Sequence, residues 1–124
     1  MRTALVTGAT AGIGEATVRT LVGSGWRCVA TGRRKERLDA LVEELGPDKV
    51  HAACFDVTDE AGRDAALDAL PDAFAALDLL VNNAGLALGT SAAQDCDLAV
   101  WKTNFETHVT ALVSLSHELL PVLI

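Results

Sequence analysis

The 124 residues contain no tyrosine, only two tryptophans and three phenylalanines, and three cysteines without a C-x-x-C spacing. Without tyrosine, no phenol among them can act as an acid or base. An odd cysteine count argues against a disulfide framework, so Cys28, Cys54 and Cys96 read as small apolar residues of a reduced, cytoplasmic protein. No apolar stretch approaches the ~18 residues that a membrane-spanning helix needs. The opening Met1-Arg2-Thr3-Ala4-Leu5-Val6 lacks a signal-peptide layout and enters a strand pattern at once. Linkers, low-complexity tracts and fixed-period repeats are absent. Positive charge is scarce too: ten Lys and Arg stand against seventeen Asp and Glu, for a net charge of −7. The field of such a chain repels phosphate-rich polymers, which excludes nucleic acid and membrane surfaces as partners.

What is present is an apolar half, 50% of the chain, enough to fill the core of one domain over residues 1–124. Short apolar runs recur at Ala4-Leu5-Val6, Cys28-Val29-Ala30, Val50 to Val57 and Leu77 to Asn82. They lack polar alternation, as strands covered on both faces do. Between them lie segments of helical period. The first runs from Gly12 to Ser24 with Ile13, Ala16, Thr17 and Leu21 on its apolar face. The second carries Leu38, Leu41, Val42 and Leu45 and stops at Gly46-Pro47. The third runs from Thr58, a candidate N-cap, to Leu70 before Pro71. The last runs from Asp97 to Leu120, with Trp101, Phe105, Val109, Leu112 and Leu119 aligned, and Pro121 discourages its continuation. Strands alternating with helices force parallel pairing through right-handed crossovers. The expected fold is α/β, a Rossmann-type doubly wound parallel sheet that stops after its fourth strand and the following helix. Ligands of such sheets bind beyond the C-terminal strand ends.

The unusual residues lie there. After the first strand comes Thr7-Gly8-Ala9-Thr10-Ala11-Gly12-Ile13-Gly14, a glycine-rich loop that opens a helix. Glycine permits positive φ and close backbone approach, and the helix start offers unpaired N–H groups to a pyrophosphate. Gly8, Ala9, Thr10, Ala11, Gly12, Ile13 and Gly14 are therefore candidate cofactor residues. A glycine-rich tight turn is the bland alternative, and the strand-loop-helix context disfavours it. At the end of the second strand, where an NAD site wants a carboxylate for the ribose 2′-hydroxyl, the chain reads Thr31-Gly32-Arg33-Arg34. Arginine meets a 2′-phosphate instead, so Arg33 and Arg34 favour NADP(H). The third strand ends in Phe55-Asp56-Val57, where a carboxylate can accept a bond from an amino group, and the fourth in Asn82-Asn83-Ala84-Gly85. His51, His108 and His117 lack partners at metal-ligand spacing and read as structural or solvated, so no metal site is expected.

The T-G-x-x-x-G-I-G loop and the N-N-A-G motif are signatures that the chain shares with the short-chain dehydrogenases/reductases, and the resemblance runs from Thr3 to Pro121. It implies that Asp56 meets the adenine with the Val57 backbone beside it, and that Asn82 braces its strand. It further implies that Asn83, Ala84 and Gly85 line the ribose and nicotinamide. Asn104, within Trp101-Lys102-Thr103-Asn104, is similar to the family's structural and proton-relay asparagine. Thr31 to Arg34 with Arg37-Leu38, and Asn82 to Gly89, look most like NADP-dependent dehydrogenases of serine and other 3-hydroxy acids.

The family moves a hydride between nicotinamide and a carbonyl or alcohol, using a tyrosine, a lysine four residues on and a serine. These 124 residues have no tyrosine, and Lys102, Ser114 and Ser116 stand in the wrong places. Three readings follow: a partial copy of an NADP-dependent oxidoreductase that is inactive alone, a non-catalytic nucleotide-binding module, or a subunit completed by a partner chain. A small carbonyl or alcohol substrate is implied only if the site is completed. In the family's strand order the fourth strand is interior; here Leu79-Leu80-Val81 is expected at an edge that invites a second copy or a partner chain.

Overall fold

The computed structural model describes residues 1–84 and 97–124. Its elements are β1 (Thr3–Val6), α1 (Gly12–Gly23), β2 (Arg27–Gly32), α2 (Lys35–Leu45), β3 (Val50–Cys54), α3 (Glu60–Asp68), α4 (Asp72–Ala75), β4 (Leu79–Val81), α5 (Leu98–Phe105) and α6 (Ala111–Leu123). A single π-helical turn, Glu106–Thr110, joins the last two helices. The four strands form one parallel sheet in the order β3-β2-β1-β4. The expected Rossmann-type α/β architecture is what the chain adopts.

Strand residues alternate between two apolar layers, which explains the missing polar alternation. Ala4, Val6, Cys28, Ala30 and Val50 face Val18 of α1 and Leu38 and Leu41 of α2. Leu5, Val29 and Ala53 face the other way, against Phe74 of α4 and Leu115 and Leu119 of α6. The register sets Thr3 to Val6 beside Arg27 to Ala30, and Ala4 to Val6 beside Leu79 to Val81. Among the described strands β4 pairs with β1 alone, so one backbone edge of Leu79–Val81 stays unpaired, with side chains half-buried.

Several boundaries and faces differ from the sequence reading. The buried side of α1 is Gly14 and Val18, flanked by Leu21 and Val22, while Ile13 is 77% exposed. The face is turned by one residue because α1 approaches the sheet through Gly14, the residue with no side chain to hold it off. The third strand ends at Cys54, leaving Phe55-Asp56-Val57 beyond it. Asp59, not Thr58, caps α3, its carboxylate accepting the Gly62 N–H at 3.1 Å. That helix ends at Asp68, and a further short helix, α4, follows Pro71.

The last segment is the largest correction. Trp101, Phe105, Val109 and Leu112 do not face the core; they are 50%, 62%, 42% and 39% exposed. A π-helical turn admits an extra residue and rotates everything after it. Past Thr110 the buried face is Ala111, Leu115 and Leu119, so an apolar stripe drawn at constant period mixes two faces. Pro121 lies inside α6; it forfeits one backbone bond in the last turn, and the Ile124 N–H still reaches the Leu120 carbonyl at 2.9 Å. The phase of α1 is directly testable. Val18→Ala should cost about 2 kcal/mol in urea denaturation, and Ile13→Ala less than about 0.5 kcal/mol. The reverse ranking would refute the helix phase.

Candidate functional site

One cavity of about 710 Å³ opens beyond the C-terminal ends of all four strands. Gly8, Thr10 and Ala11 of the β1–α1 loop form its floor, Thr31 to Arg34 and Phe55 to Thr58 one end, and Asn83 and Ala84 the other. Thr103, Glu106 and Thr107, from α5 and the π turn, close a side. Ligand cavities commonly fall between about 300 and 1,000 Å³, and this one has room for an extended dinucleotide.

The floor is shaped by glycine. Gly8 and Gly12 hold φ of +63° and +58°, which side chains resist. A β-carbon on Gly14 would collide with the Gly8 carbonyl oxygen, so the first turn of α1 lies directly under the loop. Ala11 precedes α1 in an extended conformation and no side chain caps the helix. Its leading N–H groups are thus left for an anion, with the positive end of the dipole behind them.

Thr7, buried at the end of β1, ties this floor to the far end. Its hydroxyl accepts the Asn83 and Ala84 amide N–H groups, both at 2.8 Å, and donates to the Val81 carbonyl at 3.3 Å. The Asn83 side chain donates to the Gly8 carbonyl at 3.3 Å, and the Ala9 N–H to the Thr31 carbonyl at 2.9 Å. Asn82 reaches away from the cavity, donating to the Ser116 hydroxyl of α6 at 3.0 Å.

Charge gathers at the β2 end. Arg34 donates to the Thr10 hydroxyl at 3.0 Å and Arg37 to the Thr10 carbonyl at 3.5 Å. Arg33 stands at the mouth, largely exposed and 3.9 Å from the Asp56 carboxylate, a screened and weak pairing. Burial alone would raise the Asp56 pKa, but bonds from the Thr58 N–H and hydroxyl, with Arg33 nearby, hold it below the usual carboxylate value. Asp56 is therefore an ionised acceptor at neutral pH. The buried Cys28 thiol is pushed up to about 11, which makes it a core residue without reactivity. Among the described residues no group of three or more His, Cys, Asp and Glu could hold a metal, and no helix is long and apolar enough to cross a membrane.

A model of the short chain dehydrogenase family matches residues 2–124. The chain belongs to that family. It is 52% identical over 122 residues to a serine 3-dehydrogenase of Agrobacterium fabrum, which covers 98% of this chain and 49% of that protein. It is 44% identical over 117 residues to an NADP-dependent 3-hydroxy acid dehydrogenase of Shigella flexneri, 94% of this chain and 47% of that one. A solved structure of the closed form of serine dehydrogenase complexed with NADP+ superposes with a TM-score of 0.94 at 42% identity, over 98% of this chain and 49% of its own. The chain thus spans about half the length of the relatives it matches.

Within this short-chain dehydrogenase fold, the expected site residues Gly8, Thr10, Ala11, Arg33, Arg34, Asp56, Val57, Asn83 and Ala84 all line the cavity. Ala9 is fully buried beneath the loop, Gly14 is packed against it, and neither Gly12 nor the exposed Ile13 reaches the lining. Gly85 lies outside the described residues. Asn104 sits on α5 but is not a lining residue; Thr103, Glu106 and Thr107 are. Sequence reading missed those three, because the π turn sets their direction. It also passed over Phe55 and Thr58, which the rule of looking just past each strand would have found. Nothing in the sequence marks Thr7 beyond its place as the loop's first residue.

Two buried threonines make a matched test. Thr7→Val strands the Ala84 amide and should cost about 2 kcal/mol. The Thr31 hydroxyl is buried without a partner among the described residues, so Thr31→Val should be neutral or stabilising, by up to about 1 kcal/mol. Equal losses in chemical denaturation would contradict this hydrogen-bond assignment.

Proposed function

We propose that this chain is the NADP(H)-binding portion of an oxidoreductase of its family. The observation that carries the reading is the β2 end, where the cavity-lining run Thr31-Gly32-Arg33-Arg34 offers two guanidiniums in the place where a carboxylate would receive a ribose 2′-hydroxyl. NADP-dependent and NADP+-bound relatives support it. The α1 N-terminus would seat the pyrophosphate over Gly8 to Gly14, and the two guanidiniums the 2′-phosphate. Asp56 and the Val57 backbone would meet the adenine. Asn83 and Ala84, with Gly85, would line the ribose and nicotinamide.

When bound, the nicotinamide supplies hydride chemistry with a carbonyl or alcohol. The residues of this chain bind and orient. None of them is a tyrosine, so the acid/base group that the family resemblance implies is not among these 124 residues. We assign the chain binding without turnover on its own, and assign Asn104 no direct contact with the cofactor. Fluorescence titration with NADPH and NADH tests this. Arg34→Ala should weaken NADPH by roughly tenfold to a hundredfold, the worth of one charged hydrogen bond, and change NADH less than about twofold. Parallel losses for both, or no saturable binding by the unaltered chain, would overturn it.

A second reading has its own observation. The unpaired β4 edge and the exposed Trp101, Phe105, Leu112 and Val113 form apolar surface that water disfavours. We read them as surfaces covered by more polypeptide, a second copy or a complementing chain. Light scattering at rising concentration should show self-association. A monomer with a cooperative melt at high concentration would refute it. The free thiols at Cys28 and Cys54 fit a cytoplasmic protein.

A further inference from the structure

Among the described residues Arg63 is the one buried side chain that carries charge, only 3% exposed although it sits in the first turns of α3. A guanidinium taken out of water needs partners. It has three, one for each nitrogen. Nε donates to the Glu118 carboxylate at 3.0 Å and Nη2 to the Ser114 hydroxyl at 2.8 Å, both on α6. Nη1 donates to the carbonyl of Val57 at 3.4 Å. Val57 belongs to the cavity wall. One rigid fork therefore grips α6 with two arms and the wall with the third.

Stability alone is a poor reason for it. The surrounding seam is apolar, with Ala66, Leu67, Leu115 and Leu119, and a well-packed apolar residue commonly does as well as a buried ion pair. The fork supplies direction instead, since its donors lie in one plane and cannot serve three acceptors unless all three are held in place. The opposite end of the cavity is tied to the same helix by Asn82 and Ser116. Helix α6 is thus fastened to both ends of the site while contributing no residue to its lining.

We propose that Arg63 is a positioning residue that fixes the Asp56–Thr58 wall to α6, so that adenosine-phosphate binding and the seating of α6 are coupled. The coupling rests on the nucleotide reading above; the fixing of the wall does not. Coupling is reciprocal, so a ligand on the wall must also steady α6.

The test combines hydrogen exchange with titration of 2′,5′-ADP, the phosphorylated adenosine end of NADP. Thr58 and Asp59 amides are held within the wall by Asp56 and report on it directly. In Arg63→Met these two should exchange faster while the β1 and β2 amides keep their protection. Affinity for 2′,5′-ADP should fall on the order of tenfold, an ordinary size for coupling between sites. Ligand should slow exchange at residues 115–119 of the unaltered chain and not of the variant. Arg63→Lys keeps the charge but not the fork, and should behave like Arg63→Met. If Arg63→Met does not fold, Ser114→Ala with Glu118→Leu removes both α6 acceptors and so the same grip from the α6 side. Unchanged wall exchange, or protection lost equally throughout the sheet, would overturn the proposal. Failure of the unaltered chain to bind 2′,5′-ADP would remove the nucleotide reading and with it the coupling, and leave the fixing of the wall to be decided by exchange.

Discussion

The Gly8 carbonyl oxygen occupies the space that a β-carbon of residue 14 would need, and much of the structure follows from that contact. It brings α1 down onto the end of β1, turning Val18 inward and Ile13 outward. It aims the start of the helix at the cavity floor. The same oxygen accepts the Asn83 side chain, so the β4 end is built onto the atom that sets the helix. A larger residue at position 14 would displace the core phase and the anion seat together. Fold and site are not separable at this point.

Around that contact the strand ends are joined by side chains, since the ladder bonds have stopped. Thr7 gathers β4, the Ala9 amide reaches β2, and Arg34 and Arg37 hold Thr10. The arginines do two jobs of different weight. Arg34 is already engaged with the loop, while Arg33 is mostly solvated and pairs loosely with Asp56. A phosphate entering the mouth meets one guanidinium held in place and one free to turn. In a chain of net charge −7 this small basic mouth is a local exception, suited to a small anion and not to a polymer.

Sequence legibility followed the range of the interactions. The parallel sheet and its two apolar layers could be read because the strand centres are apolar and the helices between them enforce parallel crossovers, while the strand order followed from the family resemblance. The cavity ends could be read because Asp56, Asn83 and the arginines sit at strand ends, where local chemistry and position coincide. The face of α2, with Leu38, Leu41, Val42 and Leu45, and the apolar residues Ala66, Leu67 and Leu70 were legible too, whereas the faces of α1 and of the last helical segment were not. Ile13 looked like core because its spacing fits, but the phase is set by a backbone contact with Gly8, six residues away. Thr58 looked like a cap because it precedes acidic residues, yet Asp59 competes for the position and wins with a better acceptor. Arg63 was invisible, since nothing in the local run marks an arginine as buried.

The π turn at Glu106–Thr110 shows why a period alone misleads. Up to Phe105 one side of the helix looks into the cavity through Thr103; after Thr110 another side looks into the core through Leu115. A regular helix of constant phase would have to choose between lining the site and sealing the sheet. The extra residue lets one continuous segment do both, and it carries Glu106 and Thr107 to the cavity at the point of change. The consequence is an outer face on which Trp101, Phe105, Val109 and Leu112 are left to solvent. Rotating them inward would withdraw the cavity wall or unseat Leu115 and Leu119, so they can be covered only from outside. That constraint, more than the strand edge, is what holds these apolar side chains outside the core.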